Sequence, residues 1–256
     1  MKKARGIFLK NEKELGLMRE AGRIVSRILD AIGDAVKPGV PTMLFEEIAL
    51  RMCEEYKVKP AFLGYLGFQF AICCSVNEVI VHGFPSRERI LKEGDIVSID
   101  MGVVYQGFHG DSARTFAVGV VSPEAKRLMD VTKESLDMGI AQVRSGANLY
   151  DVSAAIQRHS EEAGFGVVRR FVGHGIGVKL HEKPEIPNFV PRGLSGVTLK
   201  PGMCLAIEPM ITEGSYDVDI LDDHWTAVTK DRKLAAHFEH TVAVTPDGPV
   251  IMTVSD

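Results

Sequence analysis

Apolar residues recur at helical spacing through Met18, Ala21, Val25, Ile28 and Ile32, which predicts an amphipathic helix. Asn11 and Glu14, at capping-box spacing, mark its start, and Lys37-Pro38-Gly39 stops it. Leu44, Ile48, Met52 and Tyr56 continue the pattern over a second helix with Thr42 as its cap. Both read as helices that cover a sheet. Residues 71–81 form a strand region. Residues 96–104 are rich in β-branched side chains, Gln106-Gly107 supplies a turn, and Phe108 begins a return strand. The order then recurs. Ser122-Pro123 opens a helix running to about Val143, with proline at its first position, and Asn148 with Asp151 opens another that Gly164 closes. Residues 236–244 alternate as one strand, with Phe238, His240 and Val242 on one face and His237, Glu239 and Thr241 on the other.

The two halves also match in letters. LKEGDIVSID at residues 91–100 aligns without gaps on LKPGMCLAIE at residues 199–208, and VKPG at Val36 matches VRSG at Val143. This indicates an internal duplication of a helix, helix, strands unit and makes Glu208 the counterpart of Asp100. No linker separates the halves, about 1–120 and 121–256, so a single domain over 1–256 with one shared core is expected.

The hairpin carries two aspartates. A two-residue turn at Gln106-Gly107 sets Tyr105 opposite Phe108 and Gly102 opposite Asp111, so Asp100 shares a face with Asp111 as its diagonal neighbour, their Cβ atoms under ~7 to 8 Å apart. Isolated aspartates on a hairpin are usually solvated. Here Asp100 ends the apolar run of Ile96, Val97 and Ile99, and Asp111 sits among small residues, which points inward. Two buried charges 4 Å apart repel by ~4 kcal/mol at an effective dielectric near 20, so the pair calls for a cation or a shared proton.

Composition narrows the classes. The chain has 256 residues, 45% hydrophobic and 25% charged, with net charge −4, an ordinary globular balance without the basic footprint of a nucleic-acid binder. The basic N-terminus runs into charges instead of a signal-peptide core, and no segment approaches membrane-spanning length, so a cytoplasmic protein is expected. Cys53, Cys73, Cys74 and Cys204 lack zinc spacing, and the adjacent pair suits a disulfide poorly; free thiols are expected.

Three further residues extend the acidic pair. Glu208 is followed by Pro209 and so stands at a strand end. Glu239 lies on a polar strand face, and His174 sits between glycines that let the backbone pass close while the imidazole projects. Singly, each is more often structural or solvated. Converging, Asp100, Asp111, Glu208 and Glu239 would bring four negative charges together, which two divalent ions cancel. Carboxylates that bridge suit a two-metal site, with ions ~3.5 to 4 Å apart sharing a water or hydroxide. Oxygen-rich ligation with one imidazole favours Mn, Fe, Co or Zn.

The series SIDMG, HGDSA, GHGIG with HEKP, IEPM and FEHT, spread in this order over residues 98–241, resembles the motifs of methionine aminopeptidases, with VHGFP and HWTAVTKD also fitting. The resemblance spans nearly the whole chain. It implies the pita-bread α/β (α+β) fold, two pseudo-twofold halves around a mainly antiparallel sheet covered by helices. It further implies Asp100, Asp111, His174, Glu208 and Glu239 as ligands of two divalent ions, Asp111 and Glu239 among the bridging groups. A hydroxide between the ions would attack the first peptide bond, His82 and His181 would flank the substrate, and Glu208 or a bound water would protonate the leaving amine. Phe62, Tyr65, Phe68, Cys73, His82, Leu180 and Trp225 are the implied pocket for the first side chain. The short interval between Glu208 and Glu239 leaves no room for the helical insertion of type II, and no zinc-finger extension precedes the catalytic repeat, so a bacterial-type type I form is expected. The partners implied are the N-termini of nascent polypeptides with a small second residue, including at the ribosome, and a monomer is expected to act on them. Two rivals stand beside this reading: a proline-specific aminopeptidase or dipeptidase on the same ligands, and a non-catalytic binding protein on the same scaffold.

Overall fold

The structure, a computed structural model, describes residues 2–4 and 6–255, the first three as backbone only. Helix α1 spans Glu12–Ala35 and begins with a complete capping box between Asn11 and Glu14. Its buried stripe includes Met18, Ala21, Val25, Ile28 and Ile32. Helix α2, Met43–Glu55, departs from expectation twice. Thr42 does not cap it: the hydroxyl donates to Ser86 O (3.1 Å) and accepts from Ser86 N (2.9 Å), tying the helix start to a distant loop instead. Its most buried positions are Phe45, Ala49 and Cys53, one residue on from the expected stripe. The rotation gives Phe45 the deepest place against the sheet and leaves Ile48, Met52 and Tyr56 on its flank.

In the second half, α3 spans Pro123–Ile140, capped by Ser122 and ending earlier than the sequence pattern suggests, and α4 spans Leu149–Glu162 behind a capping box of Asn148 and Asp151. The aligned segments fold alike. Strands begin at the matched positions Ile96 and Cys204, and the matched Gly94 and Gly202 turn with φ of 89° and 90°.

Each helix pair covers its own sheet. Ile24, Val25, Ile28 and Phe45 pack on Ile72, Val97, Ile99 and Met101, while Leu136, Val152 and Ile156 pack on Leu205, Ile207, Val242 and Val244. Each fully buried side chain of this kind is worth about 1.5 to 3 kcal/mol, so the helices hold the sheets firmly from one face. Every strand pairing among the described residues is antiparallel. One sheet pairs Ile72–Val76 with Ile96–Tyr105 and the latter with Phe108–Ala117; the other runs Glu182–Ile186, Gly173–Gly175, Cys204–Ile207, His240–Thr245, Gly248–Ile251. Because Val97, Ile99, Met101 and Val103 turn to the helices, strand alternation sends Ser98, Asp100 and Gly102 to the opposite face. That face meets the second sheet. Among the described residues, no helix is long and apolar enough to cross a membrane.

Candidate metal centre

The hairpin has the expected register: Tyr105 pairs with Phe108, Gly102 with Asp111 and Asp100 with Ala113. Gln106 and Gly107 both take positive φ, 47° and 86°, the two-residue turn that matches strand twist. Asp100 and Asp111 are therefore diagonal neighbours on one face, and Cys73, paired with Asp100 on the other side, stands beside them.

From the second half, His174 sits at the centre of the short strand Gly173–Gly175. A Cβ on Gly173 would collide with Ala206 O, and one on Gly175 with Lys183 O, so the flanking glycines are what allow neighbouring strands to close on the imidazole. Glu208 follows the last residue of Cys204–Ile207, at the strand end that Pro209 enforces. Glu239 corrects one expectation. Residues 236–244 are not one strand: Ala235–His237 belongs to one sheet and His240–Thr245 to another, and Phe238 and Glu239 carry the chain between them. The break lets Glu239 reach the Phe108–Ala117 strand, where its N–H donates to Ala113 O (2.9 Å) and its carbonyl accepts from Ser112 Oγ (2.6 Å).

Asp111, His174 and Glu239 offer ligand atoms that all lie within 4.8 Å of one another, and all three are buried. Glu208 joins them, its Oε1 3.5 Å from His174 Nε2, and Asp100 lines the same cavity. His174 Nδ1 lies 3.0 Å from Gly175 O and donates to it, which leaves the Nε2 lone pair facing the acids. Burial first, and mutual repulsion second, hold Asp100, Glu208 and Glu239 well above the ordinary carboxylate range. Burial pushes Asp111 up to about 7 against the opposing pull of the Ser112 N–H. Burial, with His181 adding, pushes His174 down to about 3, so it is neutral. One buried oxygen each of Asp100, Asp111 and Glu239 has no hydrogen-bond partner among the described residues. Orphaned carboxylate oxygens converging with one imidazole nitrogen fit divalent cations, whose charge would reverse each of those upward shifts.

Above the acids lies a cavity of about 220 Å³. Phe62, Tyr65, Phe68, Cys73, Leu180 and Trp225 all line it, as do His82 and His181. Phe68 meets Trp225 edge to face at 5.0 Å. His181 Nδ1 is 2.8 Å from the Tyr65 hydroxyl, and its ring stands 4.2 Å from that of His174. His82 is held at φ 60°, a conformation costly for a side-chain-bearing residue, and burial pushes it down to about 4.

Sequence reasoning had not singled out Phe171 and Met210, which also line the cavity, or Asn188, whose buried amide donates to Glu208 O (3.0 Å). Nothing local marks these. His237 was readable from its parity with Glu239, and its Nε2 lies 3.7 Å from Glu208 Oε2.

Residues 16–246 match the model of metallopeptidase family M24. Among similar curated proteins, the methionine aminopeptidase of Clostridium perfringens is 50% identical over 248 residues, covering 97% of this chain and 99% of that one. Methionine aminopeptidase 1 of Bacillus subtilis is 49% identical over 247 residues, 96% and 99% respectively. The crystal structure of methionine aminopeptidase from Thermotoga maritima superposes with a TM-score of 0.95 at 45% identity, covering 98% of this chain and 100% of that one. The prolidase of Pyrococcus horikoshii, 20% identical with a TM-score of 0.77 and 64% of its length covered, shares the fold alone.

Proposed function

The chain belongs to metallopeptidase family M24, among its methionine aminopeptidases, and we propose how its own residues remove an N-terminal methionine. It is a hydrolase of the first peptide bond. The observation that carries the assignment of residues is the convergence of Asp111, His174 and Glu239 beneath an apolar cavity.

Asp100, Asp111, His174, Glu208 and Glu239 would hold two divalent ions of Mn, Fe, Co or Zn. Such ions would lower the pKa of a water toward ~7 and polarise the scissile carbonyl. The protein supplies the rest. The apolar wall of Phe62, Phe68, Cys73, Leu180 and Trp225 takes the first side chain and excludes water from the reacting bond. We assign the Tyr65 O–H as donor to His181 Nδ1 across their 2.8 Å contact, which puts the ring's proton on Nε2 for donation at the scissile amide. His82, neutral and held in a strained backbone, lines the same cavity and stands near the departing nitrogen. Glu208, whose carboxylate lies beside His174, takes up the proton that the attacking water gives off and passes it to the leaving amine. The imidazoles of His82 and His181 bound the space for the second residue, so small second residues are accepted. Residues 1–256 act as one catalytic unit, a cytoplasmic monomer working on nascent N-termini, including at the ribosome.

The test is hydrolysis of Met-Ala and Ala-Pro peptides by metal-free protein reconstituted with one ion at a time. Methionine release that returns with two ions per chain is expected. Preference for the Ala-Pro peptide would support the proline-specific rival, and stoichiometric binding without turnover a binding protein.

A further inference from the structure

We propose that His237 is a positioning residue for Glu208: its Nε2–H donates to Glu208 Oε2 and thereby aims Oε1 at the centre. The inference rests on the reading of Glu208 as a ligand and proton carrier.

The geometry is asymmetric around one carboxylate. Oε1 of Glu208 faces His174 Nε2 at 3.5 Å, and Oε2 faces His237 Nε2 at 3.7 Å. Glu208 thus lies between two imidazoles that do different work. His174 spends its Nδ1–H on Gly175 O and presents a lone pair. His237, with only 1% of its surface exposed, has a buried Nε2 without a hydrogen-bond partner among the described residues, and Glu208 Oε2 is the acceptor in front of it. A buried nitrogen left unpaired is costly, and a carboxylate movement of about 0.7 Å brings the pair to ordinary hydrogen-bond length.

The backbone of His237 cannot drift to another partner. Its N–H donates to Thr115 Oγ1 (2.9 Å), and its carbonyl accepts from the same hydroxyl (2.8 Å). It also ends the strand Ala235–His237, paired with Met210 just beyond Glu208. The Glu208 backbone is fixed as well, by the Asn188 amide on its carbonyl, so the carboxylate torsions are the remaining freedom. A donor on Oε2 removes that freedom and leaves the Oε1 lone pairs directed inward, the service that outer partners give metal-ligating groups.

The experiment uses the manganese-loaded full-length protein and two variants. His237→Leu removes the donor at similar size; His237→Gln keeps an N–H near the place of Nε2. Each is dialysed against graded chelator and the retained manganese is measured, with kcat and KM on a Met-Ala peptide taken in parallel. His237→Leu should lose manganese at about 10- to 100-fold lower chelator strength, with kcat reduced and KM little changed, and His237→Gln should recover both to within a few-fold. Equal behaviour of the two variants, or unchanged retention in His237→Leu, overturns the proposal. So does loss of a whole equivalent of manganese in both, which would make His237 itself a ligand. Failure of the wild-type protein to retain manganese would instead strike the underlying assignment of Glu208.

Discussion

Thr241 closes both polar groups of the Asp111 backbone: its hydroxyl accepts from Asp111 N–H at 3.1 Å and donates to Asp111 C=O at 2.8 Å. This one side chain sutures the Phe108–Ala117 strand of the first half to His240–Thr245 of the second. The relative position of Asp111 and Glu239, which come from different halves, rests on that seam together with the bonds Glu239 makes to Ala113 O and Ser112 Oγ.

Thr241→Val should therefore do more than an ordinary conservative change. It strands a buried N–H and a buried carbonyl, at a cost of about 1 to 3 kcal/mol each. Denaturant midpoints should fall accordingly, and metal retention should fall with them, while Thr241→Ser keeps both. A Thr241→Val variant as stable and as metal-retentive as the parent would show that the seam is held elsewhere.

Glu239→Gln removes a charge and keeps shape. It should lower metal retention and turnover more than His240→Gln, because Glu239 is buried against Asp111 and His174 while His240 Nδ1 is engaged with Thr253 Oγ1 at 2.7 Å. Metal analysis and initial rates on both variants check this. Equal losses would place His240 in the centre as well.

The hairpin pair was legible because a two-residue turn fixes parity, and parity alone decides which side chains share a face. Asn11, Ser122 and Asn148 were legible because capping is a local interaction between residues close in sequence. Thr42 was not, since a hydroxyl chooses between its own helix and Ser86, far along the chain, on tertiary grounds. The face of α2 slipped by one residue for a related reason: Phe45, the largest side chain of its stripe, takes the deepest position and rotates the helix with it. At residues 236–244 the alternation predicts which side chains share a face but not the break, because the change of sheet at Phe238 and Glu239 answers to Ala113 and Ser112 in the other half.

Stability of the metal-free chain should fall as pH rises from about 6.5 to 8. Carboxyls whose folded pKa is raised above the unfolded value of about 4 bind more protons folded than unfolded, so their stabilising contribution is lost as pH climbs through the folded pKa. Asp111 at about 7, with Asp100, Glu208 and Glu239 raised well above the usual range, places that loss across and beyond this window. The depressed imidazoles of His82, His174 and His237 act in the opposite sense, but below the unfolded value of about 6.5, so they leave the window clear. Thermal midpoints with chelator should slope downward, Asp100→Asn should flatten the slope, and manganese should raise the midpoint most at the alkaline end. A rising midpoint in chelator would contradict the burial of these acids.

Tyr65→Phe isolates the tautomer of His181. Losing the 2.8 Å bond to Nδ1 removes about 0.5 to 1.5 kcal/mol of orientation, and the turnover of a Met-Ala peptide should drop by about 2- to 10-fold. Metal retention should not change, since the bond that Tyr65 makes is to His181 and not to an acid of the centre. A fall in metal content without a change in kcat would assign Tyr65 to structure alone.

On the proposed pocket assignment, specificity at the first residue follows from the apolar wall that shares the cavity with the acids. Phe68 and Trp225 pack edge to face at 5.0 Å, and Cys73, which pairs with Asp100 in the sheet, lines the same cavity with Phe62 and Leu180. Such a surface suits a flexible thioether, through sulfur-aromatic contacts of ~0.3 to 1.5 kcal/mol, and offers nothing to a charge. A misfit of one methylene in an apolar pocket discriminates only ~10- to 200-fold, so norleucine should be tolerated in place of methionine, while charged and β-branched first residues should be refused. At the second residue the limit is steric: His82 and His181 both line the same cavity, so Met-Ala and Met-Gly ends should be cut and Met-Lys and Met-Trp ends should survive. Relative kcat/KM over peptides varied at the first two positions measures both limits at once. Cleavage that ignores the first residue and selects proline at the second would mean that the aromatic wall does not hold the departing side chain, and the pocket assignment would fall with it.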